Sequence, residues 1–133
     1  MGGGNTGLSL ASQLLRKKSN LKIGIIDPSE KHYYQPAWTL VGAGIFDVNR
    51  TIRNEKDVIP KNSTWIKEAV SEFMPGENKV KCLAGDEFTY DYVVVCPGIQ
   101  LDWNKIEGRK ETLGKNNVSS NYSVQYALHM GDD

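Results

Sequence analysis

The sequence predicts an α/β fold in which a parallel sheet is followed by a small β-meander. Three features carry this reading. A glycine-rich start runs straight into an amphipathic helix, a short apolar strand ends on an aspartate, and from Thr64 onward short strands alternate with turn signals.

The elements follow in order. Leu8–Lys18 reads as a helix, because Leu8, Ala11, Leu14 and Leu15 recur at helical spacing and Arg16–Lys18 place cations at its C-terminal end. Ser19-Asn20 breaks it, and Leu21–Ile26 is a short apolar strand stopped by Asp27-Pro28. His32–Pro36 carries no regular pattern, and Trp38–Phe46 suits a short helix interrupted by Gly42 and Gly44. Asn49–Asn62 is polar, with a short helix before Pro60. Thr64–Ile66 and Ala69–Phe73 look extended, and Pro75–Asn78 is a turn. Lys79–Leu83 alternates as a half-buried strand does, Ala84–Glu87 turns again, and Phe88–Tyr90 is a last short meander strand. Tyr92–Cys96 is a continuous apolar run before Pro97-Gly98, as in a strand buried on both faces. Residues 104–133 are polar and loop-like, without a clear core element.

The bulk composition is that of a globular chain with one domain at most: 133 residues, 39% hydrophobic, 24% charged, 13 glycines. Sixteen basic residues balance sixteen acidic ones, so no net field recruits nucleic acid. The longest apolar run, Trp38–Phe46, is far short of the ~20 residues of a membrane span. No secretory or other targeting segment is visible, so the Asn-x-Ser/Thr triplets at Asn49, Asn62, Asn117 and Asn121 read as chance. Cys82 and Cys96 show neither a disulfide framework nor a metal-ligand spacing, and no metal is expected.

The chemistry begins at Gly2-x-Gly4-x-x-Gly7. One glycine permits a tight turn, the second lets backbone approach a pyrophosphate, and the third lets helix and sheet pack closely. The helix that follows offers free N–H groups and a partial positive charge to phosphates, with Asn5 and Thr6 at its start. Asp27 ends the next strand 20 residues after Gly7, where a carboxylate meets ribose hydroxyls. A carboxylate there favours a free 2′-hydroxyl, as in FAD or NAD. The competing view is a glycine turn with a strand-end aspartate capping a loop. The fingerprint belongs after a strand, and only Met1 precedes it. The expectation is therefore a partial Rossmann-like FAD-binding domain, a parallel sheet with a β-meander in place of a later crossover helix, with its first, central strand missing.

At His32–Gly44 the sequence becomes specific. The string His-Tyr-Tyr-Gln-Pro-Ala-Trp-Thr-Leu-Val-Gly-Ala-Gly closely resembles the segment after the second strand of mitochondrial-type sulfide:quinone oxidoreductases. Ile26–Ser29, Val58–Pro60 with Trp65–Lys67, Tyr90–Asp102 and Ser120–Ser123 fit the same family, so the likeness runs over residues 2 to about 126. The resemblance implies a flavoprotein disulfide reductase fold whose full-length members oxidise sulfide to sulfane sulfur, pass electrons through FAD and reduce ubiquinone at the mitochondrial inner membrane. It implies that Gly2, Gly4, Asn5, Thr6 and Gly7 lie on the FAD pyrophosphate, Asp27 on the ribose, and Gln35 against FAD. Val70 would sit on the strand whose backbone edge meets the adenine. Gly98 would close the turn beside the cofactor, with Cys96-Pro97 where a small-residue pair is more usual. The family's redox cysteine pair, quinone site, second dinucleotide domain and membrane-binding helices would all lie past residue 133. This chain would then be an N-terminal fragment with no catalytic residue: residues 1–103 a partial FAD/NAD(P)-binding domain, residues 104–133 its truncated continuation.

The remaining candidates have bland readings. Cys96 could approach the cofactor, but a buried inert thiol is the simpler account, and Cys82 on a meander strand more so. His32 could act as an acid or base, or hydrogen-bond to hold a loop. His129 carries no signal. Tyr33, Tyr34 and Trp38 could line a flavin pocket or pack beneath the glycine loop. Two other functional readings stand beside the sulfide enzyme: a type II NADH:quinone dehydrogenase-like flavoprotein, and a non-catalytic partial gene product.

Overall fold

The computed structural model describes residues 1–127. In chain order it contains α1 (Asn5–Lys17), β1 (Ile23–Ile26), β2 (Lys31–Tyr33), α2 (Trp38–Gly42), β3 (Ile52–Asn54), α3 (Glu55–Val58), β4 (Ser63–Ile66), β5 (Val70–Met74), β6 (Lys79–Cys82), β7 (Glu87–Thr89), α4 (Arg109–Thr112) and α5 (Val124–Ala127). The chain divides into two compact units. One comprises Met1–His32 and Asn54–Gly98, the other Tyr33–Arg53 and the chain from Ile99 onward.

The first unit is the α/β part. β1 and β4 pair in parallel, Ile23 opposite Ser63 through Ile26 opposite Ile66. Parallel neighbours require a crossover, which residues 27–62 supply. β5, β6 and β7 form the antiparallel meander, its first turn closed by Asn78 at φ 51°. Two apolar clusters hold this unit. Leu8 and Ala11 of α1 are buried against Ile25, with Val58 and Ile59 at the margin, while Ile26 packs with Val80 and Cys82 of the meander. The helix buries its apolar stripe only in its first turns, and Leu14 remains exposed.

The second unit is built around α2 and α5. Trp38 and Val41 bury against Ala127, flanked by Phe46, Val48 and Val124. Trp38 is pinned by its indole N–H, which donates to Thr51 Oγ1 at 3.2 Å, and Thr51 in turn donates to Val48 O at 2.6 Å. A buried aromatic with a satisfied N–H is a strong local anchor.

Three expectations are corrected. Lys31–Tyr33 is a strand, and a short 3₁₀ turn at Gln35–Ala37 follows it, because Pro36 presets the φ angle of that turn. Residues after 104 are not all loop: α4 and α5 form, Leu113 is buried and Ala127 completes a core cluster. Tyr92–Cys96 is not a strand buried on both faces. Tyr92 is 93% exposed, and Val93, Val94 and Val95 lie between 38% and 49%. The reason is the hydrogen-bond pattern. Met1 N donates to Val94 O at 2.8 Å and Cys96 N–H donates to Met1 O at 2.9 Å, which is a single bridge of parallel type. On its other side Gly2 N–H donates to Ile26 O at 2.9 Å. Met1-Gly2 thus lies in strand position between β1 and the Val94–Cys96 segment, and among the described residues the apolar run shows no ladder beyond that bridge.

Four β-branched residues added ahead of Met1 are expected to lengthen that ladder, bury the valines and raise the unfolding free energy by about 1–3 kcal/mol. Urea denaturation reads the gain, and an unchanged midpoint contradicts the placement.

Candidate functional site

The site grows from the glycine loop of the first unit. A Cβ on Gly2, whose φ is +99°, would overlap the Cys96 carbonyl, and a Cβ on Gly7 would overlap the Gly2 carbonyl. These two positions are therefore closed to any other residue by backbone packing. Gly4 is different, because a Cβ there would meet nothing within 4 Å. The space above Gly4 is open, at the N-terminus of the 13-residue helix α1. The first intrahelical bond runs from Leu8 N–H to Gly4 O at 3.1 Å, so the N–H groups of Asn5, Thr6 and Gly7 precede it and carry the dipole's positive end. No acidic residue occupies the first turn. The arrangement can hold an anion over Gly4.

Asp27 is tied to the same loop. Its Oδ2 accepts from Gly3 N–H at 2.6 Å and its Oδ1 from Ser29 N–H at 2.8 Å. Its backbone is fixed as well: Asp27 N–H donates to Ile66 O at 3.1 Å, and Trp65 Nε1 donates to Asp27 O at 2.9 Å. Each carboxylate oxygen keeps a free lone pair for a further donor such as a hydroxyl.

His32 closes the loop from below. Its Nδ1 lies 3.3 Å from Gly3 O and its Nε2 3.0 Å from Asn5 Oδ1. The loop-holding account of this histidine is what the geometry shows. Behind it sits Glu55, the first residue of α3, 1% exposed. Its Oε2 is 3.5 Å from His32 Nδ1, while its buried Oε1 has no hydrogen-bond partner. A Cβ on Gly3 would overlap Oε1 and come within 3.0 Å of the Asp27 Cβ, so two carboxyl groups flank one glycine. Burial, and secondarily the charge of Asp27, push the Glu55 carboxyl up to about 7. Sequence reasoning missed this residue. Glu55 stands in the polar run Asn-Glu-Lys-Asp, which reads as surface, and only tertiary packing buries it.

The other nominated residues divide between the units. Gly2, Gly4, Asn5, Thr6, Gly7 and Asp27 come together as described. Val70, in the same unit, is partly buried against the meander cluster and pairs with Cys82 beside an irregularity in the β5–β6 ladder. Gly98, at φ +75°, ends that unit. Gln35 belongs to the second unit, where its side-chain amide donates to Asn121 O at 3.0 Å and Asn121 donates to Thr39 Oγ1 at 3.0 Å. In that unit Tyr33 stacks edge-on to Trp38, and Tyr34 is exposed. Cys82 is buried, and desolvation, with Glu68 and Asp86 nearby, pushes its thiol up, which fits an inert thiol. Cys96 is half-buried. His129 lies outside the described residues. An open polar hollow of about 350 Å³ adjoins the loop at Asn5 and His32 and runs along α1 past Ser9, Ser12 and Arg16.

Because Glu55 titrates higher in the folded chain than in the unfolded one, its contribution to stability is fully present below about pH 4.5 and is lost as pH rises through about 7. Glu55→Gln removes that loss. Relative to the parent, this variant is expected to gain about 3 kcal/mol between pH 4.5 and pH 8. Chemical denaturation across that range reads the difference, and parallel stability curves for the two proteins contradict it.

Comparison with known proteins gives a consistent picture. No model of a known protein family matches the chain. Among curated proteins, "Sulfide:quinone oxidoreductase, mitochondrial" of Dictyostelium discoideum is 55% identical over 124 residues, 92% of this chain and 27% of the relative. The protein of the same name in Mus musculus is 40% identical over 125 residues, 94% of this chain and 28% of the relative. Among solved structures, the sulfide:quinone oxidoreductase of Aquifex aeolicus aligns with TM-score 0.78 and 26% identity, over 97% of this chain and 29% of that one. The NAD-dependent persulfide reductase of A. fulgidus, at 24% identity and TM-score 0.71, shares the fold. The same holds for NDH2 of Plasmodium falciparum, at 15% and 0.56. The chain spans less than a third of the length of these relatives.

Over most of its length this chain is a homologue of proteins named mitochondrial sulfide:quinone oxidoreductase, and its fold is the mixed α/β fold of that group.

Proposed function

We propose that this chain is the FAD-binding N-terminal part of a sulfide:quinone oxidoreductase and that its glycine loop holds the adenosine diphosphate half of FAD. The observation that carries the reading is the pairing of an open Gly4, beneath free helix N–H groups, with an Asp27 carboxylate locked 2.6 Å from Gly3 N. These residues fit a dinucleotide. Gly4 leaves the cradle that a Cβ would fill, and Asp27 keeps acceptor capacity for ribose hydroxyls.

In this reading Gly2 and Gly7 shape the loop, and the backbone N–H groups of Asn5, Thr6 and Gly7 neutralise the pyrophosphate. Asp27 orients the ribose, as its position at the end of β1 suits. Gln35, Val70 and Gly98 are assigned to the cofactor by resemblance. Residues 1–103 are then part of the FAD domain and 104–133 its continuation. Bound there, FAD would supply the two-electron redox chemistry between sulfide and ubiquinone in the full-length protein. The resemblance assigns the cysteine pair that would handle sulfur to sequence past residue 133, along with the parts that meet the inner membrane. No helix among the described residues is long and apolar enough to cross a membrane. A mitochondrial location rests on the names of the relatives.

The type II NADH:quinone dehydrogenase reading shares the fold with the Plasmodium structure, but the relatives named for sulfide oxidation are far more similar in sequence.

The 133-residue chain is expected to quench flavin fluorescence on titration with FAD. Gly4→Ala should fold normally and bind at least about tenfold more weakly, because its methyl fills the cradle and not the core. Asp27→Ala should lose a similar factor, the worth of hydrogen bonds to a charged acceptor. Retained affinity in both variants contradicts the site. In a sulfide-dependent ubiquinone reduction assay the purified chain is expected to show no turnover, and a robust rate would overturn that part of the reading.

A further inference from the structure

Glu55 has no part in the cofactor contacts above, yet it is the most buried charged side chain beneath the loop. Its side chain is 2% exposed, against 11% for its neighbour His32. Oε1 has no partner, and Oε2 faces a nitrogen already engaged elsewhere. The hydrogen-bond inventory fixes that nitrogen. Gly3 O can only accept, so His32 Nδ1 must carry the hydrogen directed at it across 3.3 Å. Glu55 Oε2, at 3.5 Å from the same Nδ1, is a competing acceptor for that one hydrogen. On the far side of the ring, Nε2 lies 3.0 Å from Asn5 Oδ1 at the start of α1; with the ring hydrogen on Nδ1, Nε2 accepts, so the Asn5 amide turns its N–H₂ to it. One imidazole therefore joins Gly3, Asn5 and Glu55.

Resting on the FAD reading, we propose that Glu55 is a positioning residue for the glycine loop, acting through His32. As a neutral acid it leaves the Nδ1 hydrogen to Gly3 O and the loop stays in its anion-binding shape. As a carboxylate it draws that hydrogen away and sets a negative charge beneath the phosphates.

The other ionisable groups around Glu55 act consistently with this. Asp27, at the end of β1, is the second carboxyl flanking Gly3 and favours the neutral form of Glu55. Burial pushes the Met1 ammonium down from its ordinary value, with Cys96 and then Asp27 acting in the opposite sense. Lys31 and Asp57 both turn to the exposed side chain of Asn54, Lys31 Nζ at 2.9 Å from its Oδ1 and Asp57 Oδ2 at 2.8 Å from its Nδ2. The burial of Glu55 raises its proton affinity to about 7, so the exchange falls within the physiological range.

An anion over Gly4 favours the neutral acid, so its binding takes up a proton and its affinity falls as pH rises. The pyrophosphate of FAD does not itself titrate in this range. Two measurements on the 133-residue chain test the proposal. In the ligand-free protein, the Glu55 carboxyl carbon and the Gly3 and Asn5 amide resonances should follow one titration near pH 7. In Glu55→Gln the two amides should no longer follow it. A Glu55 carboxyl that titrates in the ordinary carboxylate range, without effect on His32, overturns the clamp. In FAD titrations, affinity should fall about tenfold between pH 6 and pH 8.5, with a fraction of a proton taken up per FAD by calorimetry in two buffers. Glu55→Gln should flatten this profile while still binding. An unaltered slope in that variant overturns the proposal. No FAD binding at any pH overturns the function reading instead, and the resonance titration then decides the clamp by itself.

Discussion

The hydrogen bond from Gly3 N–H to the Asp27 carboxylate ties the glycine loop to the end of β1. It couples the N-terminus of α1 to the carboxylate at the end of β1, the two groups that the proposed reading assigns to phosphates and to ribose. The bond exists only because Gly7 has no Cβ to strike the Gly2 carbonyl and Gly2 none to strike Cys96. The loop can then lie flat against the sheet, with Gly2 N–H on Ile26 O. Loop, helix and strand end meet in one hydrogen-bonded corner, and the space above Gly4 is open.

The parts of this corner with a strong local signature were legible in the sequence. Glycine spacing, the apolar stripe of α1 and the distance to Asp27 depend on neighbours along the chain, so the motif announces itself. The parts that depend on distant packing were not. Glu55 looks like a surface acid until α3 carries it under Gly3. Tyr92–Cys96 has the composition of a buried strand, yet strand formation depends on a partner ladder, and among the described residues its ladder contact is the pair of hydrogen bonds to Met1. Ala127 sits in a weakly patterned stretch and becomes core because Trp38 and Val41 lie against it. The nomination of Gln35 came from a family string, and its observed bond to Asn121 O bridges segments 86 residues apart that no local pattern connects.

The chain matches 27–32% of the length of its curated relatives. The corner around Gly3 brings together backbone N–H donors, the Asp27 carboxylate and the buried Glu55. Both cysteines belong to the first unit, one buried on the meander and one whose carbonyl packs on Gly2, and each has a structural account that needs no redox role.

The most direct test of this account is a map of backbone amide shifts in the chain titrated with ADP, the half of the cofactor that the glycine loop is assigned to hold. Saturable shifts centred on Gly4, Asn5, Thr6 and Gly7, with Asp27 and Ser29 responding, are the predicted result. Shifts confined to the polar hollow along α1, at Ser9, Ser12 and Arg16, or no saturable shifts, contradict the assignment of the glycine loop as the dinucleotide site.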